Sequence, residues 1–344
     1  MPSHKDTIII TCANNSLGYG LISKINSTPQ LAGYYKLCLT STTTSVKQTF
    51  GKSSRLCSCD IISMNLSSLS NIREVAKQIN SRIAVNEIPP IRILILNTAY
   101  YDIDCEVHTE NGLYPAFVMG YLGPWLLSML LLQSMDRVNG RIVVANDGLY
   151  HTDAALRIVE RQHVDEQWNN FFNEDNIDDF TRGTYADKED GIDGAAELRR
   201  YGAFKLFPTM MVGELQLRLE VDPVLNGISI TAIDLGNIGD SGLARRSRCF
   251  TRATLSTAVP RCLASFISRR CPKSAIRAIV KSSSDVIQAA LQTRSEVRGS
   301  SICGLKLQLT VHKDISAAER AMIWRETVRY SRLTREETAL TWLS

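Results

Sequence analysis

A chain of 344 residues that is 44% hydrophobic and 22% charged has ample apolar content for one large core, and its net charge of +4 comes with no dense Lys/Arg block interleaved with aromatics, which argues against a nucleic-acid partner. The nine Cys include Cys57-Ser-Cys59 but no CxxC pair, and His108, His151, His163 and His312 are scattered without Cys or carboxylate at ligand spacing, so no metal is expected. Reduced thiols and a cytoplasmic location are the expectation.

From the start of the chain, Met1-Pro-Ser-His-Lys-Asp6 is too short for a signal peptide before the first strand. Thr7-Ile-Ile-Ile-Thr11 is apolar and β-branched throughout, the pattern of a strand buried on both faces. A turn from Cys12 to Gly20 follows, then a helical stretch through Ile25. Lys36-Leu-Cys-Leu-Thr40 reads as the second strand and Ile61-Ile-Ser-Met-Asn65 as the third, with a helix over 71–84. Ile91-Arg-Ile-Leu-Ile-Leu-Asn97 is the fourth strand, and a helix is expected over 112–135. Its most apolar part, from Trp125 to Gln133, is shorter than the ~20 residues of a membrane span and reads as a buried core helix, so no spanning segment is expected. Gly140-Arg-Ile-Val-Val-Ala145 is the fifth strand. The polar, acidic stretch 151–200 reads either as a partly helical excursion over a site or as a solvated insertion with no chemistry. A helix over 201–220 and the strand Ile228-Ser-Ile-Thr-Ala-Ile-Asp234 complete the alternation. Beyond Ser241, two Arg-rich clusters flank the moderately apolar 255–267, which suits a membrane surface or a cover over the substrate mouth and reads most simply as plain helical packing, and Lys281-Ser-Ser-Ser-Asp285 reads as a helix start.

This alternation predicts an α/β fold: a Rossmann-like, doubly wound parallel sheet with helices on both faces. Such sheets bind ligands at the carboxyl ends of the strands, where the strand order switches. The expected organisation is one domain over 1–245, carrying the insertion 151–200, with a C-terminal extension over 246–344 packed on it. Within Tyr201-Gly-Ala-Phe-Lys205, the Tyr and Lys lie one helical turn apart on one face. An ammonium beside a phenol favours the phenolate, which brings an acid/base group toward neutral pH.

The Gly-containing first turn, the fourth strand ending Leu96-Asn97-Thr98-Ala99, and YxxxK after the fifth strand together resemble the short-chain dehydrogenase/reductase family, in order and in spacing from Thr7 to about Arg245. The long insertion and the extension are similar to those of fungal members related to retinol dehydrogenases, often found in secondary-metabolite pathways. The resemblance sets Thr11-Cys-Ala-Asn-Asn-Ser-Leu-Gly18 on the family's TGxxxGxG turn and Asn97-Thr-Ala-Tyr100 on its NNAG. It sets Tyr121-Leu-Gly-Pro-Trp125 on the helix that holds a catalytic asparagine, Arg141-Ile-Val-Val-Ala-Asn-Asp147 on the strand that ends in the catalytic serine, and Asp234-Leu-Gly236 on the PG turn. It implies catalytic roles for Tyr201, Lys205 and Asp147, and cofactor contacts at Thr11, Asn14, Ser16, Leu17, Gly18, Ser41, Asn65, Leu66, Asn97, Ala99, Lys205 and Gly236. It also implies association as a homodimer or tetramer through the helices over 112–135 and 201–220.

The chain departs from the family at several of these places. Cys12 and Ser16 replace two of the three turn glycines, and only Gly18 remains. Thr40-Ser-Thr-Thr-Thr-Ser45 has neither a cation for a 2′-phosphate nor an acid for a 2′-hydroxyl, so NADP and NAD are not separated. Asn65 stands where an aspartate usually meets the adenine, Tyr100 replaces a glycine, and Leu235 a proline. Gly120 takes the asparagine position, and Asp147, or Asn146 after a one-residue slip, takes the serine position. A carboxylate there cannot donate to a substrate carbonyl.

The leading expectation is an NADP(H)-dependent carbonyl/alcohol oxidoreductase acting on a small apolar substrate, with NAD or no dinucleotide left open. One alternative is a non-redox acid/base enzyme (an isomerase, dehydratase or cyclase) using Asp147, Tyr201 and Lys205; another is a catalytically silent binding or scaffold homologue. Cys12, near a helix N-terminus where thiol pKa values fall, is a candidate reactive thiol, although a small filler is the simpler reading. Asn14 and Asn15 can offer amides to phosphate or act only as turn residues.

Overall fold

Apolar, β-branched runs form the strands of one sheet: β1 (Thr7–Ile10), β2 (Tyr35–Thr40), β3 (Cys59–Ser63), β4 (Ile91–Asn97), β5 (Arg141–Asn146), β6 (Ser229–Asp234), β7 (Ser301–Cys303) and β8 (Lys306–Gln308). The computed structural model describes residues 4–41, 59–97, 109, 111–146, 173–184, 195–235, 273–292, 301–303, 306–308 and 316–341; within these, the backbone alone is described at 16, 146, 195–206, 209, 234, 273–278, 301–303 and 306–308. The strand order is β3-β2-β1-β4-β5-β6-β7-β8, parallel from β3 to β7, with β8 antiparallel on the edge. This is the doubly wound parallel sheet that the alternation predicts. The segment after 245 adds β7 and β8 to that sheet, and the third strand sits two residues earlier than its sequence pattern suggested.

The helices are α1 (Ser16–Ser27), α2 (Leu69–Ala84), α3 (Pro115–Ser134), the short α4 (Ile177–Arg182), α5 (Ala195–Val221), α6 (Lys273–Leu291) and α7 (Ala317–Ser331). Strand side chains alternate between two cores. Ile8, Ile10, Cys38, Ile93, Ile95 and Val143 face α1 and α6, while Ile9, Leu37, Leu39, Leu94, Leu96, Ile142 and Val144 face α2, α3, α5 and α7. Burial on both faces explains why the strands read as unbroken apolar runs rather than as polar–apolar alternation.

Two helix starts differ from the sequence reading. Helix α6 begins at Lys273, so Ser283 and Ser284 lie mid-helix and are no cap. Their hydroxyls donate to the carbonyls of Ile279 (2.7 Å) and Val280 (2.9 Å), which satisfies them inside the helix. Here α6 crosses α1 at Gly20, where an added Cβ would meet Ser283 and, at 2.8 Å, Ile279. Helix α5 begins six residues before Tyr201 and carries Pro208 within it.

Helix α3 runs 20 residues, inside the expected 112–135, and is long and apolar enough, by length and composition, to cross a membrane, so its apolar part extends beyond the 125–133 read from the sequence. Its burial identifies it as a core helix: every residue from Gly123 to Leu131 is buried. Part of its cover is α7, capped by Ser316, with Trp324 edge-on to Trp125 at 5.3 Å and beneath the Arg218 guanidinium at 4.5 Å. The tail beyond α7 is tied down at three points. Arg73 of α2 pairs with Glu337 at 2.5 Å and donates to the carbonyls of Ser331 and Arg332, Thr338 donates to the Met129 carbonyl at 2.9 Å, and the Thr341 amide donates to Asp222 at 2.9 Å. From the predicted insertion, α4 and its flank reach α7 through Arg325–Glu174 (2.6 Å) and Arg329–Asp178 (3.0 Å).

Gly123 gives a direct test of this packing, because an added Cβ would lie 2.8 Å from the Leu66 carbonyl and 3.0 Å from that of Val118, both main-chain atoms with little freedom to yield. Gly123→Ala is expected to destabilise the fold by about 1–3 kcal/mol, read as a lower urea midpoint at unchanged slope.

Candidate active site

The strand order reverses between β1 and β4: β1 pairs with β2 on one side and with β4 on the other. Connections leaving on opposite sides open a crevice at the carboxyl ends of these strands. The β1–α1 turn forms its floor. Thr11 fixes the turn to β4: its amide donates to the Ile95 carbonyl (3.0 Å), and its hydroxyl accepts from the Asn97 amide (2.9 Å). Ala13 then donates to the Leu39 carbonyl of β2 at 3.2 Å, so the turn is held to both neighbouring strands.

Cys12 takes φ +46°, in the left-handed region that a glycine enters freely. The residue has changed but the backbone conformation it must adopt has not, at a cost of about 1–2 kcal/mol. Gly18 fills a different need: a Cβ there would lie 2.7 Å from the Ala13 main chain. Asn15 is the N-cap of α1, its side-chain oxygen accepting from the Gly18 amide at 2.7 Å, and the Asn97 side chain donates to the same oxygen at 3.0 Å. Tyr19 closes onto the Asn15 carbonyl at 3.0 Å. That leaves the amides of Ser16 and Leu17 as the first-turn donors used by neither the cap nor the helix, the arrangement that suits an anion at a helix N-terminus. The Leu17 side chain itself is buried in the core.

Asn15 is the residue the sequence reading left undecided. Its signal was present, an Asn immediately before an apolar helical stretch. Asn14 instead donates to the Ser41 hydroxyl at 3.3 Å, which brings the exposed end of β2 to the turn. Past β3, the Asn65 side chain accepts from the Ser67 amide (3.0 Å) and hydroxyl (2.7 Å), an Asx turn that leads into the Ser68 cap of α2. Leu66 is buried, with its carbonyl against Gly123.

Thr11, Asn14, Gly18, Ser41 and Asn97 thus gather around one crevice, linked by hydrogen bonds or direct contact. Gly120 sits in a π-helical turn of α3, Val118–Leu122, with open space where a side chain would project. Tyr201 and Lys205 are both in α5, four residues apart as the spacing requires; their side chains, that of Ser16, and the whole of Asp147, Ala99, Tyr100 and Gly236 lie outside the described residues. Among the described residues, no group of three or more His, Cys, Asp or Glu could hold a metal.

Cys12 does not behave as a residue near a helix N-terminus suggests. Burial pushes its thiol up to about 12, so at neutral pH it is a protonated filler in the glycine position.

No family model matches the sequence. The chain is 32% identical, over an alignment of 365 positions covering 98% of it and 99% of the relative, to the protein named short-chain dehydrogenase iccH of Talaromyces variabilis. Among solved structures, it is similar to an uncharacterised protein of Mycobacterium paratuberculosis (TM-score 0.60, 15% identity, 98% of this chain and 96% of that one). It is also similar to a short-chain dehydrogenase/reductase of the glucose/ribitol dehydrogenase type from Brucella melitensis (TM-score 0.52, 14% identity, 87% and 94%). At these identities the two structures show the fold.

The shifted thiol makes a pH prediction. The folded chain keeps the Cys12 proton to about 12, whereas an unperturbed thiol loses it near 9.0, so stability falls as pH rises through that window and is unaffected below it. Cys12→Ala is expected to flatten the loss of stability between pH 9 and 11 in denaturant titrations, whatever its effect at pH 7, and native Cys12 is expected to resist alkylation at pH 8.

Proposed function

Because the chain belongs to the short-chain dehydrogenase/reductase family, we propose that it is an oxidoreductase passing hydride between NADP(H) and a carbonyl or alcohol of a small apolar substrate. The observation that carries this reading is the β1–α1 turn. Cys12 holds the left-handed conformation, Gly18 keeps the close approach, and Asn15 caps the helix while leaving two amides for an anion. That is a backbone cradle suited to a pyrophosphate at the switch-point crevice. On this reading the Ser16 and Leu17 amides hold the phosphates, with Ser41 and Asn14 at the β2 end, and Asn65 and Leu66 at the β3 end. Asn97 of β4 and Lys205 of α5 complete the set together with Ala99 and Gly236, which follow β4 and β6 in sequence. When bound, the nicotinamide supplies the hydride-transfer chemistry.

The chain's own groups handle the proton. Lys205 favours ionisation of the Tyr201 phenol one turn away, and the phenolic oxygen takes or returns the proton of the substrate hydroxyl. Asp147, standing where a hydroxyl donor is usual, accepts a hydrogen bond instead. It therefore suits oxidation of an alcohol, where the group to be held is a donor, better than reduction of a carbonyl. Gly120 contributes no side chain to this relay. The open space beside it is the observation that favours the second reading, a non-redox acid/base enzyme working with Asp147, Tyr201 and Lys205.

The reading takes the protein as cytoplasmic and as associating, as a homodimer or tetramer, through the outward faces of α3 and α5. The chain's own α7 and tail also contact these helices, with Trp324 against Trp125 of α3 and beneath Arg218 of α5, and Thr338 on the Met129 carbonyl of α3.

Titration with NADPH and NADH, followed by nucleotide fluorescence, is expected to show saturable binding with NADPH the tighter; no response at millimolar nucleotide ends the oxidoreductase reading. Tyr201→Phe is expected to keep nucleotide binding and lower turnover about 10²–10⁴-fold. Asp147→Ser restores a donor and is expected to raise carbonyl reduction by about 10²–10³-fold. Sedimentation is expected to give the mass of a dimer or tetramer.

A further inference from the structure

Three elements remote in sequence meet at one buried pair of hydroxyls. Tyr121 Oη lies 2.8 Å from Thr327 Oγ1, and both residues are 2% exposed. Thr327 Oγ1 also lies 2.7 Å from the Ile323 carbonyl of its own helix, an oxygen that can only accept. A threonine hydroxyl has one proton to give. Thr327 therefore donates to Ile323 and accepts from Tyr121, so the buried tyrosine proton has this oxygen as its acceptor, with the Glu214 carboxylate of α5 the charged group that acts on it.

Tyr121 belongs to the π-turn of α3, directly after Gly120. Such a turn inserts one residue into the helical ladder and recurs at functional sites. On one side of it, Gly123 touches the carbonyl of Leu66, at the end of the loop that carries Asn65. On the other, the rings of Tyr121 and Phe117 lie 5.1 Å and 5.3 Å from that of Phe207. Phe207 is two residues past Lys205 on α5 and is 1% exposed. A second tether, Arg218 over Trp324, joins α7 to the same helix at 4.5 Å.

We propose that Thr327, in the C-terminal helix, is a positioning residue for the acid/base pair: it accepts the Tyr121 hydroxyl, fixes the π-turn, and through Phe207 sets where α5 presents Tyr201 and Lys205. The inference rests on the acid/base reading of that pair. It reaches beyond it in making the far end of the chain part of the site's support.

The proton accounting separates three substitutions. Thr327→Val keeps the shape but removes the acceptor, leaving the Tyr121 hydroxyl buried without one. Thr327→Ser keeps the acceptor. Tyr121→Phe removes the donor and leaves Thr327 bonded to Ile323. The readout is the Tyr201 phenolate absorbance of the full chain without cofactor, titrated from pH 6 to 10 with the Tyr201→Phe trace subtracted. The wild-type midpoint is expected well below the ordinary phenol value of about 10. Thr327→Val is expected to raise it by about one pH unit, a tenfold shift in the phenol–phenolate balance. Thr327→Ser is expected to match wild type, and Tyr121→Phe to move the midpoint in the same direction by less. A Thr327→Val midpoint equal to wild type, or Val and Ser shifted alike, would overturn the proposal. Should the Val variant fail to fold, an unchanged midpoint in Tyr121→Phe overturns it equally. Failure of nucleotide binding would end the oxidoreductase reading yet leave this contrast standing, whereas a wild-type chain with no Tyr201 titration below about 10 sinks the positioning role even if nucleotide binds.

Discussion

The placement of β1 between β2 and β4 is the constraint on which the rest of this molecule depends. A strand buried on both faces and paired on both edges has no freedom left except at its ends. The chain leaving β1 must turn within a few residues, and the strand order runs from β1 through β2 to β3 on one side and from β4 to β5 on the other. Thr11 locks that geometry by bonding β4 with both its amide and its hydroxyl. The crevice, the N-terminus of α1 that faces it, and the meeting of Asn14 with Ser41 all follow from this arrangement.

Seen this way, the altered first turn is less of a loss than its residues suggest. A glycine allows a left-handed residue without dictating one. The turn is dictated by the bonds on either side of it, from Thr11 to β4 and from Ala13 to β2, and they hold Cys12 in the same conformation. The strain is offset by partial burial of the side chain against the helical core. At Gly18 the constraint is steric rather than torsional, because the helix and the turn are in main-chain contact there, and glycine is retained.

The second organising feature is the apolar helix α3. A helix buried along its length needs cover on every side, and the sheet supplies only one. Helices α2 and α5 supply two more, and part of the remaining cover comes from the last helix of the chain. The C-terminus is thereby drawn into the helical layer that carries Tyr201 and Lys205, and it also holds α4 through Arg325 and Arg329. Support of the candidate site and burial of an apolar surface are one piece of packing.

The sequence by itself determined what local chemistry can encode. Runs such as Thr7-Ile-Ile-Ile and Ile93-Leu-Ile-Leu can only be buried strands, their alternation with helices sets the fold class, and the Tyr201/Lys205 spacing places two groups on one face of a helix. The cap at Asn15 was legible too, though its chemistry alone does not separate capping from phosphate contact. Three features were decided only by tertiary structure. The left-handed Cys12 runs against its own preference because neighbouring strands impose it. The π-turn at Val118–Leu122 is one residue out of step, too small a change of period to read from side chains. The serines at 282–284 carry a cap signal, yet they sit mid-helix because that face of α6 must pass close to Gly20. Local preferences act over a few residues and are worth about 1 kcal/mol or less each. Burying the two faces of an eight-stranded sheet outweighs them wherever the two disagree.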